Sequence, residues 1–274
     1  MLHLDKTKQV ENVMGTGEIK LRPLTNWQTV LAFGTPALMM VISFYWFMPW
    51  LQRLGLTPFE SIVVSHTVPM AFLLTATVVM FHRVDGYPLT WVAFRQRLRY
   101  PTLTWRAVLQ GLGLFLLLLI GYGLFNAVSQ MLIAQGWLPL PQNLPALLDP
   151  RVTLSTAVLD NMVGGQILGN WGVIILYFIM LSFNIVGEEL WWRGYLLPRQ
   201  EVRYGRFAWV WHGLLWTAFH VFKWWDLIGL LPVCLAIAYV SQRTKNNWPA
   251  FMAHFLFNGL GLLGMVTAVI TTIG

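Results

Sequence analysis

The stretch WGVIILYFIMLSFNIVGEELWWRG, residues 171–194, places two adjacent glutamates at the end of a long apolar run. Only 11 of the 274 residues of the chain are acidic, so a pair of carboxylates at this point requires a reason. Ionisable groups at bilayer depth are costly, and where they occur they mark functional sites. The stretch therefore predicts a membrane-embedded helix that carries a functional pair of carboxylates.

The composition indicates a membrane protein over the whole chain. Hydrophobic residues make up 57% of it and charged residues 11%, whereas soluble domains carry about 25% charged residues. The chain has 15 tryptophans, and tryptophan is enriched at membrane interfaces. We predict an all-α fold, a polytopic transmembrane helical bundle.

Apolar segments set the expected number of spans. They run roughly over 28–50, 61–82, 108–133, 170–187, 207–222, 227–241 and 249–273. The first three and the last are long enough to cross about 30 Å of hydrocarbon, and the middle three are shorter and hold polar residues. We expect about seven spans, with partial or interfacial helices at 89–105 and at about 152–163.

The basic residues predict the orientation. Of 18 lysines and arginines, all but Arg53, Arg151 and Lys223 fall in the connections on one side of the predicted membrane. The positive-inside rule then places the N-terminus in the cytoplasm and the C-terminus outside, in a bacterial inner membrane. We expect residues 1–26 to be a cytoplasmic N-terminal segment and 27–274 to be one transmembrane domain. We interpret the net charge of +7 as this asymmetry and expect no nucleic-acid partner.

The spacing of charges separates the two glutamates. Glu189 and Arg193 are four residues apart on one helix face, with the acid first, which is the favourable order for an ion pair. Glu188 is rotated about 100° around the helix axis and can face a different partner. A charge cluster at the membrane boundary would show the same spacing, so the spacing alone does not decide between the two interpretations.

Three further polar residues lie in later apolar segments: His220, and the pair His254 and Asn258, which share a helix face. Each of these residues is also compatible with a structural role, in which its side chain packs between helices and links them. Together with Glu188 they supply a base, an imidazole and an amide donor, the groups needed to hydrolyse an amide with an activated water. The sequence contains neither the HExxH nor the GxSxG motif. Packed roles are expected for the other histidines of the apolar segments, His66, His82 and His212.

The order of these motifs resembles the CPBP family, the CAAX prenyl endopeptidases and bacteriocin-processing or immunity proteins also called Abi proteins. EExxxR spans 188–193, an aromatic residue precedes a histidine by four positions at 216–220, and HxxxN spans 254–258. The resemblance covers about 170–265, the family core. The second motif of the family usually begins with Phe, and Trp216 stands here, which predicts a change in packing rather than lost chemistry.

The resemblance implies a role for each matched residue: Glu188 as catalytic base, His220 as its partner in activating water, His254 and Asn258 as an oxyanion site, and Glu189, Arg193 and Trp216 as supporting residues. It leaves the cofactor open, because the family has been described both as metalloproteases and as metal-free enzymes. If Zn²⁺ is bound, the expected ligands are Glu188, His220 and His254.

The function predicted on this basis is that of an intramembrane endopeptidase of CAAX type or of bacteriocin or leader type. Its expected partners are a peptide or protein substrate, lipidated or not, and membrane lipid. A non-catalytic immunity or binding protein that uses the same groove is one alternative, and a proton-coupled transporter is another. The positions of Glu188 and His254 favour access of the substrate from the cytoplasm. Counting residues along its segment, however, places His220 at the outer end.

Overall fold

The computed structural model describes residues 21–273, and within that range all regular structure is helical. Of the predicted N-terminal segment 1–26, residues 1–20 therefore lie outside the described part. The helices, in chain order, are α1 Asn26–Arg53, α2 Pro58–Val84, α3 Trp91–Arg97, α4 Trp105–Ala134, α5 Thr156–Val163, α6 Trp171–Glu188, a π-helical segment Glu189–Leu196, α7 Leu197–Tyr204, α8 Ala208–Phe219, a 3₁₀ segment His220–Asp226, α9 Leu227–Thr244 and α10 Trp248–Ile270.

The predicted all-α membrane bundle is confirmed. Five stretches of the described chain are long and apolar enough to cross a membrane: α1, α2, α4, the continuous stretch Trp171–Thr244, and α10. The fourth stretch contains α6 to α9, which include three of the seven apolar segments of the sequence. The expected count of about seven is therefore approximate.

Helix starts follow the polar residues that cap them. The hydroxyl of Thr57 accepts a hydrogen bond from the Glu60 amide at 3.2 Å, and the Glu60 carboxylate accepts one from the Thr57 amide at 2.9 Å. This capping box starts α2. Ser155 caps α5 in a similar way, so the short helix expected at about 152–163 begins at Thr156.

Two opposite faces of the bundle differ in charge. We call one the basic face; it holds α3, α7 and the connections 85–90, 98–104, 205–207 and 245–247. Ion pairs tie it together: Arg97 to Asp85 at 2.9 Å, and Arg99 to Glu201 at 2.6 and 2.9 Å, with Lys245 also on Glu201.

We call the opposite side the distal face; it holds the connections 54–57 and 135–170, the 3₁₀ segment and the end of α10. The amide of Thr156 donates to the Ile273 carbonyl at 3.0 Å, and Gly169 donates to Val269 at 2.8 Å. These bonds fix the long connection against the end of α10.

A close helix contact positions the end of α6. A Cβ atom at Gly187 would lie 2.5 Å from the Met70 carbonyl oxygen of α2. Only glycine permits that approach, because the contact is to backbone that cannot move away easily. The neighbouring Glu188 is thereby held deep in the bundle, where it is 2% exposed.

Candidate active site

One cavity of about 500 Å³ brings together the predicted catalytic side chains. Glu188, His220, His254 and Asn258 all lie on its wall, and Trp216 lies there as well. The volume is within the range of about 300–1,000 Å³ that small-molecule sites occupy. Residues from α6, α8, α10 and the 3₁₀ segment therefore meet at one point.

His220 reaches this point because α8 is short. The helix has 12 residues, which corresponds to about 18 Å of rise. His220, the residue that follows α8, is 8% exposed and lies on the wall of the cavity with Glu188. His220 Nδ1 lies 2.8 Å from the Trp216 carbonyl oxygen, so Nδ1 carries the hydrogen and the lone pair of Nε2 is left for another partner.

Three N–H donors hold the Glu188 carboxylate. Asn184 Nδ2 donates to Oε1 at 2.7 Å, while Trp192 Nε1 and Trp216 Nε1 donate to Oε2 at 3.1 and 2.7 Å. Hydrogen bonds to an ionised acceptor are the strong ones, and they compensate for loss of water at this depth. A carboxylate has about four lone-pair positions, so Oε1 keeps one for a further partner.

Asn184 connects the last helix to Glu188. Asn258 Nδ2 donates to Asn184 Oδ1 at 2.7 Å, which orients the Asn184 amide so that its nitrogen faces Glu188. The sequence interpretation missed Asn184. Its signal was an amide in an apolar run four residues before Glu188, on the same helix face.

Glu189 binds two partners rather than one. Arg193 Nε donates to Glu189 Oε2 at 2.8 Å and Arg193 Nη2 donates to Oε1, with both side chains fully buried. His254 Nδ1 also lies 2.7 Å from Oε1. The expected ion pair is therefore present, and its carboxylate also orients His254.

The tautomer of His254 follows from this contact. A distance of 2.7 Å to a carboxylate oxygen requires a hydrogen on Nδ1, so Nε2 of the neutral ring carries a lone pair. Asn258 Nδ2 lies 3.3 Å from that Nε2 atom. His254 would need a second proton to donate to an oxyanion, so the oxyanion role implied by the resemblance stays a prediction.

Residues 170–260 match the family model described as type II CAAX prenyl endopeptidase Rce1-like. The chain is similar to the Rce1-like family over this segment. The family is one of proteases, and the matched range agrees with the predicted family core at about 170–265. No curated protein and no solved structure matches the chain. The Rce1-like segment contains every polar side chain of the site described above.

Trp216 does more in the Rce1-like site than the sequence suggests. The Arg193 guanidinium lies 3.8 Å from the centre of the Trp216 ring, and the predicted change in packing relative to phenylalanine stays a prediction. The indole N–H also donates to Glu188, and a phenylalanine has no such donor. The exchange of Phe for Trp therefore adds a polar contact to the carboxylate.

The zinc ligand set named from the resemblance is not assembled in the described part of the chain. Within residues 21–273, no three His, Cys, Asp or Glu side chains converge as metal ligands. Glu188 Oε1 and the Nε2 atoms of His220 and His254 each keep one lone pair, so these contacts leave the zinc prediction untested. The mechanism proposed below uses side chains and water.

Metal chelation tests this interpretation directly. We expect purified protein to retain its full cleavage rate after dialysis against a strong chelator, as no described residues form a ligand set. The measurement pairs the rate with metal content by mass spectrometry. Loss of cleavage that Zn²⁺ restores, in parallel with one bound zinc per chain, would contradict it.

Two of the histidines expected to be packed have local partners. His212 Nδ1 lies 2.6 Å from Gln200 Oε1 in a fully buried position, and His82 Nδ1 lies 2.9 Å from the Tyr87 carbonyl oxygen. The His82 side chain is nevertheless exposed, so the packed role expected for it is wrong. His66 packs edge-on against Phe44, and it also lies on the cavity wall.

Proposed function

We propose that the chain is an intramembrane endopeptidase that hydrolyses a peptide bond with a water activated by Glu188. The observation that supports it is the position of Glu188. This carboxylate is 2% exposed, oriented by three N–H donors, and lies on the wall of the cavity that also holds His220, His254 and Asn258. The similarity of residues 170–260 to a protease family agrees with it.

The free lone pair of Glu188 Oε1 specifies the first step. A water in the cavity hydrogen-bonds to Oε1 and to Nε2 of His220, and its proton passes to Oε1 as its oxygen bonds to the peptide carbonyl carbon. The carbonyl oxygen becomes an oxyanion, and Asn258 Nδ2, which lies 3.3 Å from His254 Nε2, can donate to it in exchange for that contact. The C–N bond then breaks, and Glu188 returns the proton to the leaving nitrogen.

Glu189 and Arg193 act through His254 in this scheme. The carboxylate, with Arg193 as its ion-pair partner, keeps the ring in one orientation and the hydrogen of His254 on Nδ1. We propose that the substrate is a peptide or a protein segment, with or without a lipid.

Comparison of cleavage products tests the proposal. Membranes that contain the wild-type chain or the Glu188→Ala variant, at equal amounts of inserted protein, are compared by mass spectrometry of new N-termini. We expect a set of termini that is present with the wild type and absent with the variant. Identical termini, together with an unchanged immunity phenotype of the cells, would favour the non-catalytic immunity or binding protein.

Trp216→Phe removes one hydrogen bond from the base while keeping an aromatic ring against Arg193. A hydrogen bond to a charged group contributes about 1.5–3 kcal/mol, so we expect kcat to fall roughly 10- to 100-fold with KM nearly unchanged. The measurement is the steady-state rate on a cleaved peptide identified as above.

Trp191→Phe is the matched control for Trp216→Phe. Trp191 is 7% exposed, and its indole donates to the Ala32 carbonyl at 3.2 Å. The control loses the same atoms and one hydrogen bond without touching Glu188. If both variants lose kcat equally, the contact between Trp216 and Glu188 does not matter for the rate.

A further inference from the structure

The cavity extends from Glu188 in one direction only. Its wall includes Leu147, Leu148 and Leu154 of the distal connection, and Ile273 beside them. Among residues 21–273, none of its lining residues comes from α3, α7 or the connections of the basic face. The site is therefore continuous with the distal side of the bundle.

Packed side chains close the other direction. Glu189, Trp192 and Arg193 are 0% exposed, and Tyr195 and Gln200 beyond them are 1% and 0% exposed. The whole π-helical segment Glu189–Leu196 is buried. An extended peptide could reach Glu188 from the basic face only by displacing this packed layer.

The distal half of the cavity opens in two places. Leu154, on the long connection, is 38% exposed and also lines the cavity. Between α6 and α10, Leu260 is 45% exposed and lines the cavity beside Gly261 and Tyr177. The first opening lies at the distal connection, and the second lies on the side of the bundle between the spanning stretches α6 and α10.

The lining indicates the chemistry of the occupant. Leucine, phenylalanine and methionine side chains dominate the wall, which suits an apolar segment. Lys223 stands at the distal end and pairs with Asp226 at 2.9 Å. A second, more polar cavity of about 400 Å³, which includes Tyr122 and Asn126, shares Leu147, Leu148 and Lys223 with the first. A polar cavity therefore adjoins the apolar site.

We propose that substrates reach Glu188 from the distal face, as apolar segments of peptides or proteins located on the outer side of the membrane. The proposal rests on the proposed endopeptidase activity and on the orientation that the basic residues predict. It differs from the cytoplasmic access that the sequence favours. Counting residues along the helices locates Glu188 between the two membrane surfaces. It does not show on which side of Glu188 packed side chains fill the bundle.

Cysteine labelling from each side of the membrane tests the proposal. The variants carry a single new cysteine in a Cys234→Ala background, since Cys234 is the one cysteine of the chain. Leu154→Cys marks the cavity rim, Arg53→Cys marks the distal face outside the cavity, and Arg203→Cys marks the basic face. Intact cells are treated with a membrane-impermeant maleimide before and after permeabilisation, and cleavage is then measured.

We expect Leu154→Cys and Arg53→Cys to react in intact cells, and Arg203→Cys to react only after permeabilisation. Labelled Leu154→Cys should lose at least 90% of its cleavage rate because the adduct obstructs the rim, whereas labelled Arg53→Cys should keep its rate. Reaction of Leu154→Cys only in permeabilised cells would overturn the proposal. Unchanged cleavage after complete labelling of Leu154→Cys would overturn it as well.

The two proposals fail in different ways in this experiment. If the wild-type chain cleaves nothing, the endopeptidase proposal fails, and the labelling pattern still reports which face the cavity opens on. If cleavage occurs and Leu154→Cys reacts only from the cytoplasmic side, the activity stands and distal access is wrong.

Discussion

Glu188→Gln will reduce the rate of peptide-bond cleavage by about 10³-fold or more, because an amide cannot accept the proton of the attacking water. The substitution preserves the size and shape of the side chain, so substrate contacts within the cavity persist. We therefore expect the loss in kcat, with little change in KM. A variant that keeps more than a tenth of the wild-type rate would remove Glu188 from the role of base.

The same variant will remain folded. The amide oxygen of the substituted side chain can still accept both indoles, but its amide nitrogen would face Asn184 Nδ2, since the bond from Asn258 fixes the Asn184 amide. Two facing donors cost about 1–3 kcal/mol. Thermal unfolding in detergent measures this cost, and it should be far smaller than complete loss of structure.

Glu189→Gln will mainly destabilise the fold. It leaves the Arg193 charge, which is 0% exposed, without its partner, and breaking a buried pair in this way costs about 3–5 kcal/mol. Arg193 Nη1 already has no hydrogen-bond partner among the described residues. We expect a large drop in thermal stability and a reduced yield of inserted protein.

Glu201→Gln is the matched control for Glu189→Gln. Arg99 binds Glu201 through two nitrogens, as Arg193 binds Glu189, but this pair lies at the basic face with Arg99 18% exposed in its side chain. This pair is partly buried; because fully exposed pairs contribute about 0–1 kcal/mol and fully buried ones more, we expect a smaller loss of stability than at Glu189. If the two variants lose equal stability, burial of Arg193 is not the cause.

The sequence was sufficient for the fold class and for most of the side chains at the candidate site, although not for Asn184 and Trp192. Apolar runs marked the helices, because a membrane helix must be apolar along its length. The spacing of Glu189 and Arg193 predicted their ion pair, because neighbours on one helix have fixed geometry. Resemblance to the CPBP family added His220, His254 and Asn258 as one site, and all three lie on the wall of the same cavity.

Contacts between helices could not be predicted in the same way. His254 binds Glu189 across 65 positions of sequence, and Trp216 binds Glu188 across 28. Such pairs depend on helix rotation and depth, which hydrophobic periodicity does not specify in helices that are apolar all round. For the same reason the short α8, and with it the depth of His220, became clear only from the structure.

Trp216 links the two glutamates energetically. Its indole edge donates to Glu188, and its ring face lies against Arg193, the partner of Glu189. Substitutions at the two acidic positions share this neighbour, so their free-energy effects will not add. A loss of activity measured at Glu189 therefore contains a contribution from a displaced Glu188, and only the double mutant separates the two.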